Sequence, residues 1–145
     1  MKKIFIIGDN AANRLAAKNT LDATGFYRTF VLPSADTMFQ LANRFKPDLI
    51  LLDVDTHAVD NFKALARVKA DEKLSQIPVL FLLAKGDKES VALCVKMGAR
   101  EYMARPFTEQ DFLMRVDSLT NAGWVDKEVD KIVRAEHLKQ MTANL

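Results

Sequence analysis

Asp53 closes the apolar run Leu49-Ile50-Leu51-Leu52, and Asp9 follows a second run, Ile4-Phe5-Ile6-Ile7, after one glycine. Short apolar runs without polar alternation suit strands buried on both faces of a parallel sheet. The carboxyl ends of such strands are where open α/β sheets bind ligands. Two carboxylates delivered there suit a hard cation, since Mg²⁺ takes one or two carboxylates with backbone, water and phosphate oxygens. Asp53 could also act as a nucleophile toward a phosphoryl group, forming an acyl phosphate. The phosphoryl oxygens would then call for a nearby cation. Arg105, ahead of Pro106 and Phe107 at the end of another short run, is placed to supply it. A lone strand-end aspartate is more simply a helix cap or a solvated loop acid. Two of them, with Arg105 on a third strand end, point to a site or its remnant.

These positions need a sheet to bring them together. Apolar runs recur at Ile4 to Ile7, Phe30 to Leu32, Leu49 to Leu52, Val79 to Leu83 and Tyr102 to Ala104. Segments of helical period lie between them. Asn10 to Ala23 stops near Gly25, and Ser34 to Phe45 starts on a good N-cap. Asp60 to Ala70 starts on a capping acid, and Lys88 to Met97 runs to Gly98. Thr108 to Leu119 has Thr108 as its cap and Asp111 three residues on. Alternating strands and helices with right-handed crossovers give a doubly wound α/β domain over residues 1–120, with five parallel strands.

Composition sets the bounds. At 145 residues the chain fits one domain, and 49% hydrophobic residues supply a real core. A net charge of +2 is too small to argue for nucleic acid. Cys94 is the only cysteine, so there is neither an internal disulfide nor a cysteine metal cluster, and its apolar helical setting reads as core. The apolar runs fall far short of the ~20 residues that span a bilayer. The amino-terminal Met1-Lys2-Lys3 before Ile4 is no secretory signal, because Asp9 and Asn10 interrupt too short an apolar stretch. A cytoplasmic protein without membrane contact is expected.

Residues 121–145 form a helical extension. Trp124, Val125, Val129, Ile132 and Val133 make one apolar stripe, and Leu138, Met141 and Leu145 make another nearly opposite it. Such a helix either packs on its own domain or offers an apolar surface to a partner, including a second copy. Lys127, Lys131, Arg134 and Lys139 are diluted by Glu128, Asp130 and Glu136, so direct nucleic-acid binding is not expected.

From Lys2 to about Leu119 the chain resembles the receiver domain of two-component response regulators, the chemotaxis-type fold. The residues carrying the resemblance are Ile6-Ile7-Gly8-Asp9, Pro47-Asp48-Leu49-Ile50-Leu51-Leu52-Asp53, Ile77-Pro78-Val79-Leu80, and Met97-Gly98-Ala99-Arg100-Glu101-Tyr102 leading into Arg105-Pro106-Phe107-Thr108. The resemblance implies a flavodoxin-like sheet of order 2-1-3-4-5. It implies that Asp53 accepts a phosphoryl group from a histidine kinase or phosphotransfer protein. It further implies that Asp9, Asp53 and the Asp55 backbone carbonyl hold Mg²⁺, that Pro106 follows a cis bond aiming Arg105 into the site, and that Tyr102 is a switch aromatic. The output surface would be the face of the fourth helix, fifth strand and fifth helix, with Tyr102 and Phe107, which the extension would either cover or extend into a dimer.

Three positions depart from the family pattern. Gly8 stands where a first acid is expected, which should weaken the metal. Leu83 stands where a serine or threonine would hydrogen-bond the phosphoryl group and trigger the aromatic switch. Arg105 replaces a lysine, and a planar fork is not a compact ammonium. Lys85 and Asp55 flank the site and could pair across its mouth, although exposed pairs contribute little. His57 reads as a solvated loop residue. Two functions compete: a phosphoaccepting receiver with an atypical site, and a pseudo-receiver working by protein contact alone. Leu49 to Thr56 also resembles the first motif of haloacid-dehalogenase-type phosphatases, with Asp53 as nucleophile and Asp55 as general acid/base. That motif belongs on the first strand of a longer domain, so enzyme activity is not expected.

Overall fold

The strand at the centre of the molecule is β3 (Leu49–Val54), and every one of its residues is buried. It is flanked by β1 (Lys2–Gly8) and β4 (Val79–Leu83), with β2 (Tyr27–Val31) and β5 (Glu101–Ala104) at the edges. All pairs are parallel, in the order β2-β1-β3-β4-β5. The helices are α1 (Ala11–Ala23), α2 (Ala35–Phe45), α3 (Val59–Ala70), α4 (Lys88–Lys96), α5 (Glu109–Thr120) and α6 (Trp124–Ala143). This is the doubly wound sheet expected, with the additional C-terminal helix. The structure is a computed structural model that describes residues 1–54, 59–97 and 101–143, residues 59–61 by backbone only. Asp55, His57, Gly98 and Leu145, singled out above, lie outside the described residues.

Side-chain alternation along the central strands builds two cores. Phe5, Ile7, Ile50, Leu52, Val54, Phe81 and Leu83 face the side covered by α2, α3 and α4. Ile4, Ile6, Leu49, Leu51, Leu80 and Leu82 face α1 and α5. The edge strands follow a different rule. β2 begins at Tyr27, ahead of the apolar run that marks it, because an edge strand keeps one side open and tolerates Arg28 and Thr29. Leu32, at the end of that run, lies past the strand but still donates its N–H to Ile6 O at 2.9 Å.

Capping fixes the helix starts. The side chains of Asn10, Ser34, Asp87 and Thr108 accept from the N–H groups of Asn13, Thr37, Ser90 and Asp111. α3 starts at Val59, one residue ahead of the Asp60 start expected.

The extension departs from expectation. Only its first turn is anchored: Trp124 packs against the α1/α5 core, its N–H donates to Asp117 Oδ1 at 2.7 Å, and Lys127 lies 5.7 Å from the Phe26 ring centroid. α6 therefore leaves along the α1/α5 side and does not cover the face made by α4, β5 and α5. Beyond that turn no residue of α6 is buried, and Val129, Ile132, Val133, Leu138 and Met141 are exposed. Among the described residues no helix is long and apolar enough to cross a membrane.

Cys94 is fully buried in the α4-side core. Burial, with a smaller contribution from Asp87, pushes its thiol up to about 11. The thiolate is the reactive form, so Cys94 should resist a disulfide thiol reagent in the folded protein at neutral pH and react in denaturant. Stoichiometric labelling of the native protein would contradict this packing.

Candidate functional site

The register of the sheet sets the site. Gly8 on β1 lies beside Asp53 on β3, and Asp53 lies beside Leu82 on β4. Asp53 is 0% exposed. A carboxylate removed from water to this degree is costly unless a charged donor meets it. Arg105 does so: its Nη2 donates to Asp53 Oδ2 at 2.7 Å.

Two further contacts hold Arg105 in place. Its backbone N–H donates to Leu83 O at 2.9 Å, which fixes the start of the loop after β5. Its guanidinium lies 5.6 Å from the Phe107 ring centroid, and Phe107 stacks on Phe112 of α5 at 5.9 Å. The Arg105–Pro106 bond is cis. An arginine can bind a carboxylate and lie on a ring at once through its planar fork, which a lysine cannot do in the same way. Arg105 Nη1 is a buried donor with no hydrogen-bond partner among the described residues.

The β1 side of the site is closed. A Cβ on Gly8 would lie 2.8 Å from Asp53 O and 2.9 Å from Asp53 Cβ, closer than real side-chain contacts allow. The glycine is therefore what permits the close approach of the two strand ends. Arg14 of α1 donates from Nη1 to Gly8 O, and its Cγ would be 3.4 Å from that same Cβ. Sequence reading missed Arg14. The available signal was electrostatic: α1 has no acidic residue in its first turn, and a cation near a helix N-terminus is misplaced unless it has an acceptor.

The remaining expected positions divide. Leu83 is 0% exposed and belongs to the core with Val54, Phe62 and Phe81. Tyr102 is 38% exposed on β5, beside Phe81. Asp9 and Lys85 are exposed, and Pro106 lies in the exposed turn after Arg105. The Asp55 carbonyl and the Asp55–Lys85 pair fall outside the described residues. Among those that are described, no cluster of three or more His, Cys, Asp or Glu residues could hold a metal ion.

With this geometry in view, the similarities to known proteins can be placed. Residues 4–117 match the response regulator receiver domain. The polar-differentiation response regulator DivK of Brucella ovis is 30% identical over 120 residues, covering 81% of this chain and 94% of DivK. The DNA-binding dual master transcriptional regulator RpaA of Synechocystis is 32% identical over 119 residues, covering 82% of this chain; the chain spans only 49% of the length of RpaA. Among solved structures, the receiver domain of the sensor histidine kinase PA1611 of Pseudomonas aeruginosa superposes with a TM-score of 0.72 at 22% identity, covering 83% of this chain and 98% of that one. It is described with a magnesium ion coordinated in its active-site cleft.

Removing one partner of a buried ion pair leaves an uncompensated charge. Arg105→Met should cost ~3 kcal/mol, the low end of the buried-pair range because Arg105 keeps part of its surface in water. Adding Asp53→Asn should recover most of that loss. Additive urea-unfolding energies across the double-mutant cycle would show that the pair is not coupled.

Proposed function

The chain belongs to the response regulator receiver family, and we propose that it is a receiver module of two-component signalling whose output is uncoupled from phosphorylation at Asp53. The observation that carries this reading is Leu83. The family pattern places a hydroxyl there, and here a leucine fills the core with no exposed surface. It can neither donate to a phosphoryl oxygen nor vacate space for an aromatic ring. Modification at Asp53 shifts Tyr102 only through a differential interaction with its two positions, and Leu83 removes the element that would supply one.

The same reading accounts for the rest of the site. Asp53 is already paired with Arg105, and no acidic side chain fits at Gly8 without displacing Asp53. The residues described suit Mg²⁺ poorly, so a weakened metal site is part of the proposal. The module would work by protein contact rather than as an enzyme. Its partners are a histidine kinase or phosphotransfer protein and an output protein meeting α4, β5 and α5, including Tyr102. The exposed apolar residues of α6 supply a further surface, where a second copy of the chain could pair.

One observation favours retained phosphoacceptance. Arg105 Nη1 is a buried donor with no hydrogen-bond partner among the described residues, and beside Asp53 it is suited to a phosphoryl oxygen. On that reading the acceptor survives and only the switch is lost.

Acetyl phosphate or beryllofluoride with Mg²⁺, followed by NMR, tests the proposal. Resonances at Tyr102 and along α4 should stay unchanged, whatever happens at Asp53. Movement at Tyr102 would refute uncoupling. Light scattering should give a larger mass for the full chain than for a chain ending at residue 120; equal monomer masses would remove the pairing through α6.

A further inference from the structure

Two oxygens meet at this sheet end, Asp53 Oδ2 and the backbone oxygen of its neighbour Gly8. Each already accepts a hydrogen bond from a guanidinium. Arg105 Nη2 donates to the first at 2.7 Å, and Arg14 Nη1 donates to the second. The arginines reach the site from opposite ends of the chain, Arg14 from α1 and Arg105 from the loop after β5. We propose that the guanidinium groups of Arg14 and Arg105 together stand in for a divalent cation, so that the Asp53 site is charge-balanced within the chain and stays folded and paired without Mg²⁺.

The charge count supports this. Asp9 and Asp53 contribute two negative charges, and Arg14 and Arg105 contribute two positive ones. These four side chains therefore balance one another. With an acid in place of Gly8 and no arginine at position 14, the same end would carry two uncompensated negative charges, which is what a divalent ion neutralises. Both changes act together. The glycine removes a carboxylate, and its missing side chain leaves room for Asp53 where a Cβ would come within 2.8–2.9 Å of it. Arg14 then binds the backbone oxygen of the same glycine.

Coordination chemistry points the same way. Mg²⁺ demands a near-ideal octahedron of oxygens at about 2.0–2.1 Å and dehydrates reluctantly. To enter, it would displace Arg105 from the carboxylate it needs and add two positive charges where Asp9, Asp53, Arg14 and Arg105 already balance. Guanidinium groups are more weakly hydrated than ammonium and bind carboxylates in a fixed fork, which suits a permanent internal counter-ion. This deepens the reading given under Proposed function by naming the cation of the same site.

The test is a Mn²⁺ titration of the isotopically labelled full chain, read by paramagnetic broadening of amide resonances, with thermal melts in the presence and absence of Mg²⁺. The wild-type protein should show no selective broadening at Gly8 and Asp53 and no Mg²⁺-dependent rise in Tm. The double variant Arg14→Met/Arg105→Met should gain both responses, with Mn²⁺ affinity at least tenfold above wild type. Should that variant not fold, Arg14→Met alone keeps the Asp53–Arg105 pair and should bind Mn²⁺ more tightly than wild type by removing one of the two positive charges. Selective broadening in the wild-type protein overturns the proposal, as does a folded variant that responds no more than wild type. A wild-type Mn²⁺ site with Tyr102 unmoved by acetyl phosphate would sink the internal cation but leave the uncoupled output standing; the converse result would do the reverse.

Discussion

A single carboxylate buried at the end of the central strand dictates the chemistry around it. Asp53 sits where water cannot solvate it, so the fold must supply a positive charge within hydrogen-bonding distance. Arg105 supplies that charge, and much of the local structure serves to hold Arg105. Leu83 O takes its backbone N–H, Phe107 lies against its guanidinium, and Phe112 on α5 supports Phe107. The loop after β5 is thus tied to β3, β4 and α5 at once.

The same constraint acts through the backbone on the other side. Parallel pairing puts Gly8 beside Asp53, and the strand ends approach more closely than any side chain at position 8 would permit. Arg14 closes that edge by binding the carbonyl of Gly8. A receiver fold keeps its acceptor position in this way while altering three neighbours of it. The acid partner gives way to a glycine, the hydroxyl to a leucine, and the lysine to an arginine. On the proposed reading, these changes together favour one fixed arrangement over a switching one.

Much of the fold was legible in the sequence because its central strands are buried on both faces. Continuous apolar runs mark β1, β3 and β4, and short polar side chains mark the starts of α1, α2 and α5. The edges were less legible: β2 begins with Tyr27-Arg28-Thr29, a mixed stretch that one-sided pairing tolerates. At the site, Asp53 and Arg105 could be found from their places at strand ends, whereas Gly8 and Leu83 stood out only through the resemblance to the receiver family. Arg14 was missed: its acceptor is a backbone oxygen, and only its place as a cation near the start of α1 hinted at it. The path of α6, which Trp124 fixes through contacts with α1 and α5 distant in sequence, was not legible either.

The central claim is that Asp53 has a permanent partner inside the chain. A crystal structure grown with Mg²⁺ and beryllofluoride tests it most directly. Arg105 should still bridge to Asp53, Arg14 should still bind Gly8 O, and no metal density should lie between Asp9 and Asp53. A metal ion coordinated there, with Arg105 displaced and Tyr102 turned inward, would contradict it.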